Sequence, residues 1–180
     1  MSTDLKRLVE DYLRAWGNCY EEEDRWWGDR NLTWPEALTR AWRSRLRDGG
    51  MCSHQRRVAA RLPEGMKKAL ATPTDPKKFQ TFEDLYVWVA SVARQVPGIG
   101  TVTTYDVAQR LGAWLGLQPT TVYLHAGTAV GAGKLNVFGP VAELSAFPPE
   151  IAKLGATHAE NFLCLYKDRL SDCGKQRGPQ

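Results

Sequence analysis

The sequence predicts an all-α fold, read as a single compact helical domain over residues 1–172 with a frayed tail at 173–180. Three observations predict it. Apolar side chains recur at helical spacing in most segments, helix-start signatures stand ahead of those stripes, and glycine or proline closes them. A composition of 43% hydrophobic and 24% charged residues is enough to bury a core.

Leu5, Leu8, Val9, Tyr12, Leu13 and Trp16 give the first amphipathic helix. Residues 18–32 mix charged and aromatic side chains without a clean period and read as a loop. Thr33 stands three residues before Glu36, with Pro35 in the first turn, and opens a second helix. Its stripe is Ala37, Leu38, Ala41, Trp42 and Leu46, and Asp48-Gly49-Gly50 ends it. A third helical region spans about 53–70, interrupted at Pro63-Glu64-Gly65, and residues 72–78 read as a connector. Thr81 with Asp84 caps the next helix, striped by Phe82, Leu85, Val89, Val92, Ala93 and Val96. Pro97-Gly98-Ile99-Gly100 stops it, and another helix is expected from about Val102 to Leu115.

Beyond it, residues 119–124 suit a short extended piece and 127–135 a glycine-rich helix. Pro148-Pro149-Glu150 begins a short helix, and Thr157 with Glu160 is expected to cap the last one, leaving His158 exposed. Five of the seven tryptophans fall in the first quarter and read as anchors of the N-terminal helices, with base stacking as the alternative.

The net charge is only +4, but its distribution is uneven. Between residues 40 and 78 eleven arginines and lysines face Asp48, Glu64 and Asp75, a local net charge of +8. Such a stretch favours a polyanion, or else forms a solvated helix face. No apolar run is long enough to cross a membrane, no signal peptide opens the chain, and a cytoplasmic location is expected. Cys19, Cys52, Cys164 and Cys173 contain no C-x-x-C pair, so free thiols are expected, with no metal site and no cofactor.

The stretch from Val92 to Tyr105 carries the most information. Gly98 and Gly100 flank Ile99 between two amphipathic helices. Glycine permits the tight, left-handed backbone such a turn needs, and Ile99 can tuck between the helices. The second helix then begins with main-chain N–H groups at its positive dipole end, a setting for a phosphate oxygen that reads no base sequence. Pro97, Gly98, Ile99, Gly100, Thr101 and Thr103 are therefore candidate contacts to the backbone of duplex DNA, the expected partner. Thr101, Thr103 and Thr104 offer hydroxyl donors. A plain helix–turn–helix with glycines for geometry alone is the other reading.

On these residues the chain resembles the helix-hairpin-helix DNA glycosylase superfamily, most closely from Phe82 to Leu135, as a diverged bacterial branch. The resemblance implies a helix-hairpin-helix at 82–115, DNA contact, and base-excision repair as the activity of the relatives. It also implies a turn, a short extended piece and a catalytic aspartate opening a further helix. Here Leu115–Pro119, Val122-Tyr123-Leu124 and His125–Thr128 take those places, so His125 or a neighbour replaces the aspartate. Val102 or Thr103 fills the position of the Schiff-base lysine, which excludes that lyase chemistry there. Asp106 is a poor substitute carboxylate, lying early within the hairpin's second helix.

Other clusters add candidates. In Cys52–Arg57, His54 and Gln55 suit a groove, with Arg56 and Arg57 on phosphates; a helix start with solvated arginines is the alternative. A Cys52 nucleophile paired with His54 or His125 is a further option. His125 is also a candidate general acid or base, or else a structural histidine. Residues 127–135 fail as a phosphate loop, because Thr128 stands where a glycine is required and Leu135 where a hydroxyl is. Their small residues suit close helix packing, with Lys134 available to a phosphate. Three functions follow as expectations: a DNA-binding module, a glycosylase-type hydrolase, or a protein-interaction domain.

Overall fold

Residues 2–51 and 53–170 are described in a computed structural model of the chain. The fold is all-α, as expected; among the described residues the sole sheet is a two-stranded antiparallel ribbon. Helices run in the order α1 (Ser2–Trp27), α2 (Trp34–Arg43), α3 (Ser53–Arg56), α4 (Leu62–Ala71), α5 (Phe82–Ala93) and α6 (Thr101–Leu115). Strand β1 (Thr121–Tyr123) precedes α7 (Ala126–Gly133), and β2 (Val141–Glu143) precedes α8 (Pro149–Ala152) and α9 (Gly155–Tyr166). No described helix is long and apolar enough to cross a membrane. The expected frayed tail and Cys52 lie outside the described residues.

Cα packing divides the chain into two compact units. One is central, residues 19–118. The other is discontinuous, joining residues up to 18 with those from 119 onward, so α1 contributes its first part to one unit and its last part to the other.

In the central unit the helix-start signatures form as predicted. The Thr81 hydroxyl accepts from the Asp84 N–H (3.1 Å), while the Asp84 carboxylate accepts from the Thr81 N–H (3.0 Å). Hydrogen bonds from Thr81 also hold the Asp84 carboxyl below its ordinary pKa. That contribution to stability is present above the ordinary carboxylate pKa and fades as the pH falls through the lowered one. Phe82, Leu85, Val89, Val92 and Ala93 are buried along one face of α5. Each larger side chain among them contributes about 1.5–3 kcal/mol. α6 packs against α5 and ends at Gly116, whose φ of +75° is a left-handed helix stop.

Several elements differ from expectation. α2 stops at Arg43, with Ser44 in left-handed backbone at φ +54°, short of Leu46 and of the expected Asp48-Gly49-Gly50 stop. α1 continues through residues 18–27, which read as a loop. Tyr20, Glu23 and Trp27 keep a helical period on the less exposed side, and the intervening acidic run, being solvated, hides that period in the sequence. Pro63 starts α4 rather than interrupting a longer helix, because a missing N–H costs nothing in a first turn. β2 has no alternating apolar signal; it pairs with β1 in the register Val122↔Ala142.

The discontinuous unit is built on α9. Phe162 and Leu163 are fully buried, and Tyr12 of α1 packs edge-on against Phe162 and Tyr166. The small residues of α7 serve close packing, as expected. A methyl at Gly131 would come within 2.2 Å of the Leu163 carbonyl oxygen, and one at Gly127 within 2.7 Å of Cys164 Sγ.

Candidate nucleic-acid interface

In the central unit α5 and α6 are joined by the turn at 94–100, where the helix-hairpin-helix was expected. Gly98 has φ +91°, the left-handed backbone that favours glycine. Gly100 is the N-cap of α6 in ordinary extended backbone, at φ −100°. Pro97, Gly98, Gly100 and Thr101 are exposed, and Ile99 is half-buried with its N–H on the Val96 carbonyl (3.2 Å). The first bond closing α6 runs from the Thr104 N–H to the Gly100 carbonyl (3.0 Å). The N–H groups of Thr101, Val102 and Thr103 precede it at the dipole's positive end.

The hydroxyls are placed differently from expectation. Thr103 is buried, and the Thr104 hydroxyl donates to the Gly100 carbonyl at 3.0 Å, so both are turned inward by the helix's own geometry. Thr101 alone of the three threonines presents its side chain to solvent. Thr103 therefore offers its main chain only.

The segment 54–61 lies along the hairpin. At one end, His54 Nε2 is 2.7 Å from the Asp106 carboxylate on α6. Gln55 Nε2 donates to the same oxygen, Oδ2. Gln55 is fully buried, so its expected place in an open groove is corrected: it holds Asp106 from behind. Van der Waals packing decided this, since one side of a single turn must face the core. At the other end, a methyl on Gly98 would touch Arg61 Cγ at 3.9 Å. Arg56, Arg57 and Arg61 are exposed, and none forms an ion pair among the described residues. Arg56 Nε donates to the Met51 carbonyl (3.3 Å), which ties its stem to the loop below.

Arg61 and the His54–Asp106 pair were the features missed in the sequence. Arg61 belongs to the basic stretch, but nothing local marks it as the cation beside Gly98. Asp106 falls one helical turn after Val102, about 6 Å along the axis. It sits close to the corner without belonging to its motif.

The remaining candidates belong to the discontinuous unit. His125 is the N-cap residue of α7, followed by Ala126 at φ +44°. His125 Nδ1 lies 3.6 Å from Glu160 Oε1, and the side chains are 12% and 9% exposed. The buried Thr128 hydroxyl donates to Glu160 Oε1 at 2.5 Å. Glu160 thus packs inward rather than capping α9, which starts at Gly155 and places Thr157 inside its first turn. Likewise His158 is not exposed: its Nδ1 meets the Tyr12 hydroxyl at 2.8 Å. Lys134 Nζ donates to the Lys167 carbonyl (2.6 Å), neutralising the end of α9.

Removing the Glu160 carboxylate should cost stability. In Glu160→Ala the buried Thr128 hydroxyl keeps only a long contact to the residue 160 carbonyl (3.4 Å), and a loss of about 1–3 kcal/mol is expected. Urea unfolding would measure it, and Glu160→Gln, which retains an acceptor, should lose less.

Cys19 is exposed and Cys164 half-buried, and no group of three or more His, Cys, Asp and Glu side chains suited to a metal ion occurs among the described residues. No family model, no curated protein and no solved structure matches the chain.

Proposed function

We propose that this protein binds duplex DNA through its phosphate backbone, with the corner at residues 97–101 as the contact. One observation carries the reading: the exposed start of α6 follows two residues after Gly98, against which the stem of the Arg61 side chain lies. Main-chain N–H groups with no side chain in front, close to an arginine that forms no ion pair among the described residues, suit a phosphate oxygen. Arg56 and Arg57, on the same segment, extend the positive surface. None of these groups is arranged to read a base edge, so binding is indifferent to sequence.

Salt titration tests it. Binding to unrelated duplexes should weaken steeply with salt, and Arg61→Ala should weaken all of them alike, lowering the log–log slope by about 0.9, the increment for one phosphate contact. A slope unchanged in a folded Arg61→Ala protein would remove Arg61 from the interface. No retention of any duplex at low salt would reject DNA as the partner and favour a protein-interaction role.

A second reading, hydrolytic base excision, is favoured by His125 at the N-cap of α7 with the Glu160 carboxylate behind it. A flipped nucleotide would be its substrate. Alkali-dependent strand breaks at single modified bases distinguish it from binding alone.

A further inference from the structure

We infer that DNA binding at this corner is coupled to the protonation of His54, so that affinity rises as the pH falls. The inference rests on the backbone-binding reading and adds its regulation.

Asp106 stands one turn above the start of α6, where its negative charge opposes an incoming phosphate. It is fixed there. Buried Gln55 donates to it from the core side, and the carboxylate keeps only 18% of its side chain exposed. His54 Nε2, at 2.7 Å, faces the same oxygen from the solvent side, with 49% of its side chain exposed. Asp106, on α6, is a charged group that faces His54, and Arg56 and Arg57 follow on the histidine's own segment.

Protonated, His54 cancels the Asp106 charge, and α6 no longer opposes a phosphate held at its start. Neutral, it leaves one uncompensated negative charge beside the anion site. DNA therefore binds the protonated form more tightly, and by linkage bound DNA raises the proton affinity of His54. Whichever tautomer neutral His54 adopts, the net charge of the pair is −1. The sign does not depend on the ring's orientation.

The chain has three histidines, and the other two are engaged inside the discontinuous unit, His158 with Tyr12 and His125 with Glu160. This makes the test clean. Affinity for a fluorescent duplex of arbitrary sequence would be measured at fixed low salt from about pH 8 to about pH 5.5, the range over which histidine changes charge. The intact protein should gain about fivefold in affinity toward low pH, the size of one partly screened charge near the site. His54→Gln should flatten the profile at the high-pH value. Asp106→Asn should bind at pH 8 nearly as tightly as the intact protein does at low pH. Circular dichroism confirms that each variant is folded, and an imidazole NMR titration of the intact protein with and without duplex reads the linkage directly. If DNA binds with the same affinity at every pH, or if His54→Gln keeps the full pH dependence, the coupling is wrong while the backbone-binding reading stands. If no duplex binds at any pH, both fall.

Discussion

Gly100→Asp is expected to lower affinity for duplex DNA by about a hundredfold while leaving the protein as stable as before or slightly more so. The two halves of this expectation have one cause. Gly100 is the N-cap of α6 with extended backbone, and a side chain there meets nothing within 4 Å, so an aspartate fits without strain. Aspartate is among the best N-cap residues, because its carboxylate accepts from the N–H groups two and three positions on. Here those are the N–H groups of Val102 and Thr103, the ones offered to a phosphate. The substitution thus fills the anion site with an internal anion and adds like-charge repulsion. Gel shifts at low salt and a thermal melt measure both halves. A Gly100→Asp protein that melts normally and still binds would place the DNA contact elsewhere. Gly98 is less informative, since its φ of +91° makes any side chain a backbone perturbation.

Gly65→Ala and Trp42→Ala should each be damaging alone, yet their combination should be less so than the sum. Trp42 is fully buried on α2, and its ring lies over Gly65 of α4 so closely that an added methyl would stand 2.2 Å from Cζ3. Truncating the indole should cost about 3–5 kcal/mol through lost burial and an unfilled cavity. The methyl at position 65 should cost about 1–3 kcal/mol by forcing a packed ring off its rotamer. With the ring gone, that methyl has space, and alanine's better helix propensity contributes about 1 kcal/mol in its favour. A double-mutant cycle from urea unfolding should therefore show a favourable coupling of about 1–3 kcal/mol. Strict additivity would mean that α2 and α4 do not meet through this ring.

These two positions illustrate different degrees of legibility. The Gly98–Gly100 turn was readable because a turn is a local device: left-handed backbone, a proline stop and a following helix all lie within ten residues. The caps at Thr33 and Thr81, the stripe of α5 and the small-residue face of α7 were readable for the same reason. Trp42 on Gly65 was not. Each residue announced itself as core or as a helix interruption, and nothing in either neighbourhood named the other.

What the sequence by itself determined, then, is the all-α class, the elements whose apolar period is uninterrupted, and the corner with its main-chain donors. Periodicity, capping and turn chemistry act over a few residues, so their causes are written consecutively. Tertiary structure alone decided which charges stand beside that corner. Arg61 reaches Gly98 across 37 positions and His54 reaches Asp106 across 52, pairings set by how separate helices pack. Packing also turned Gln55 and Glu160 inward, because a buried polar group stays only where a partner meets it, and those partners are distant in the chain.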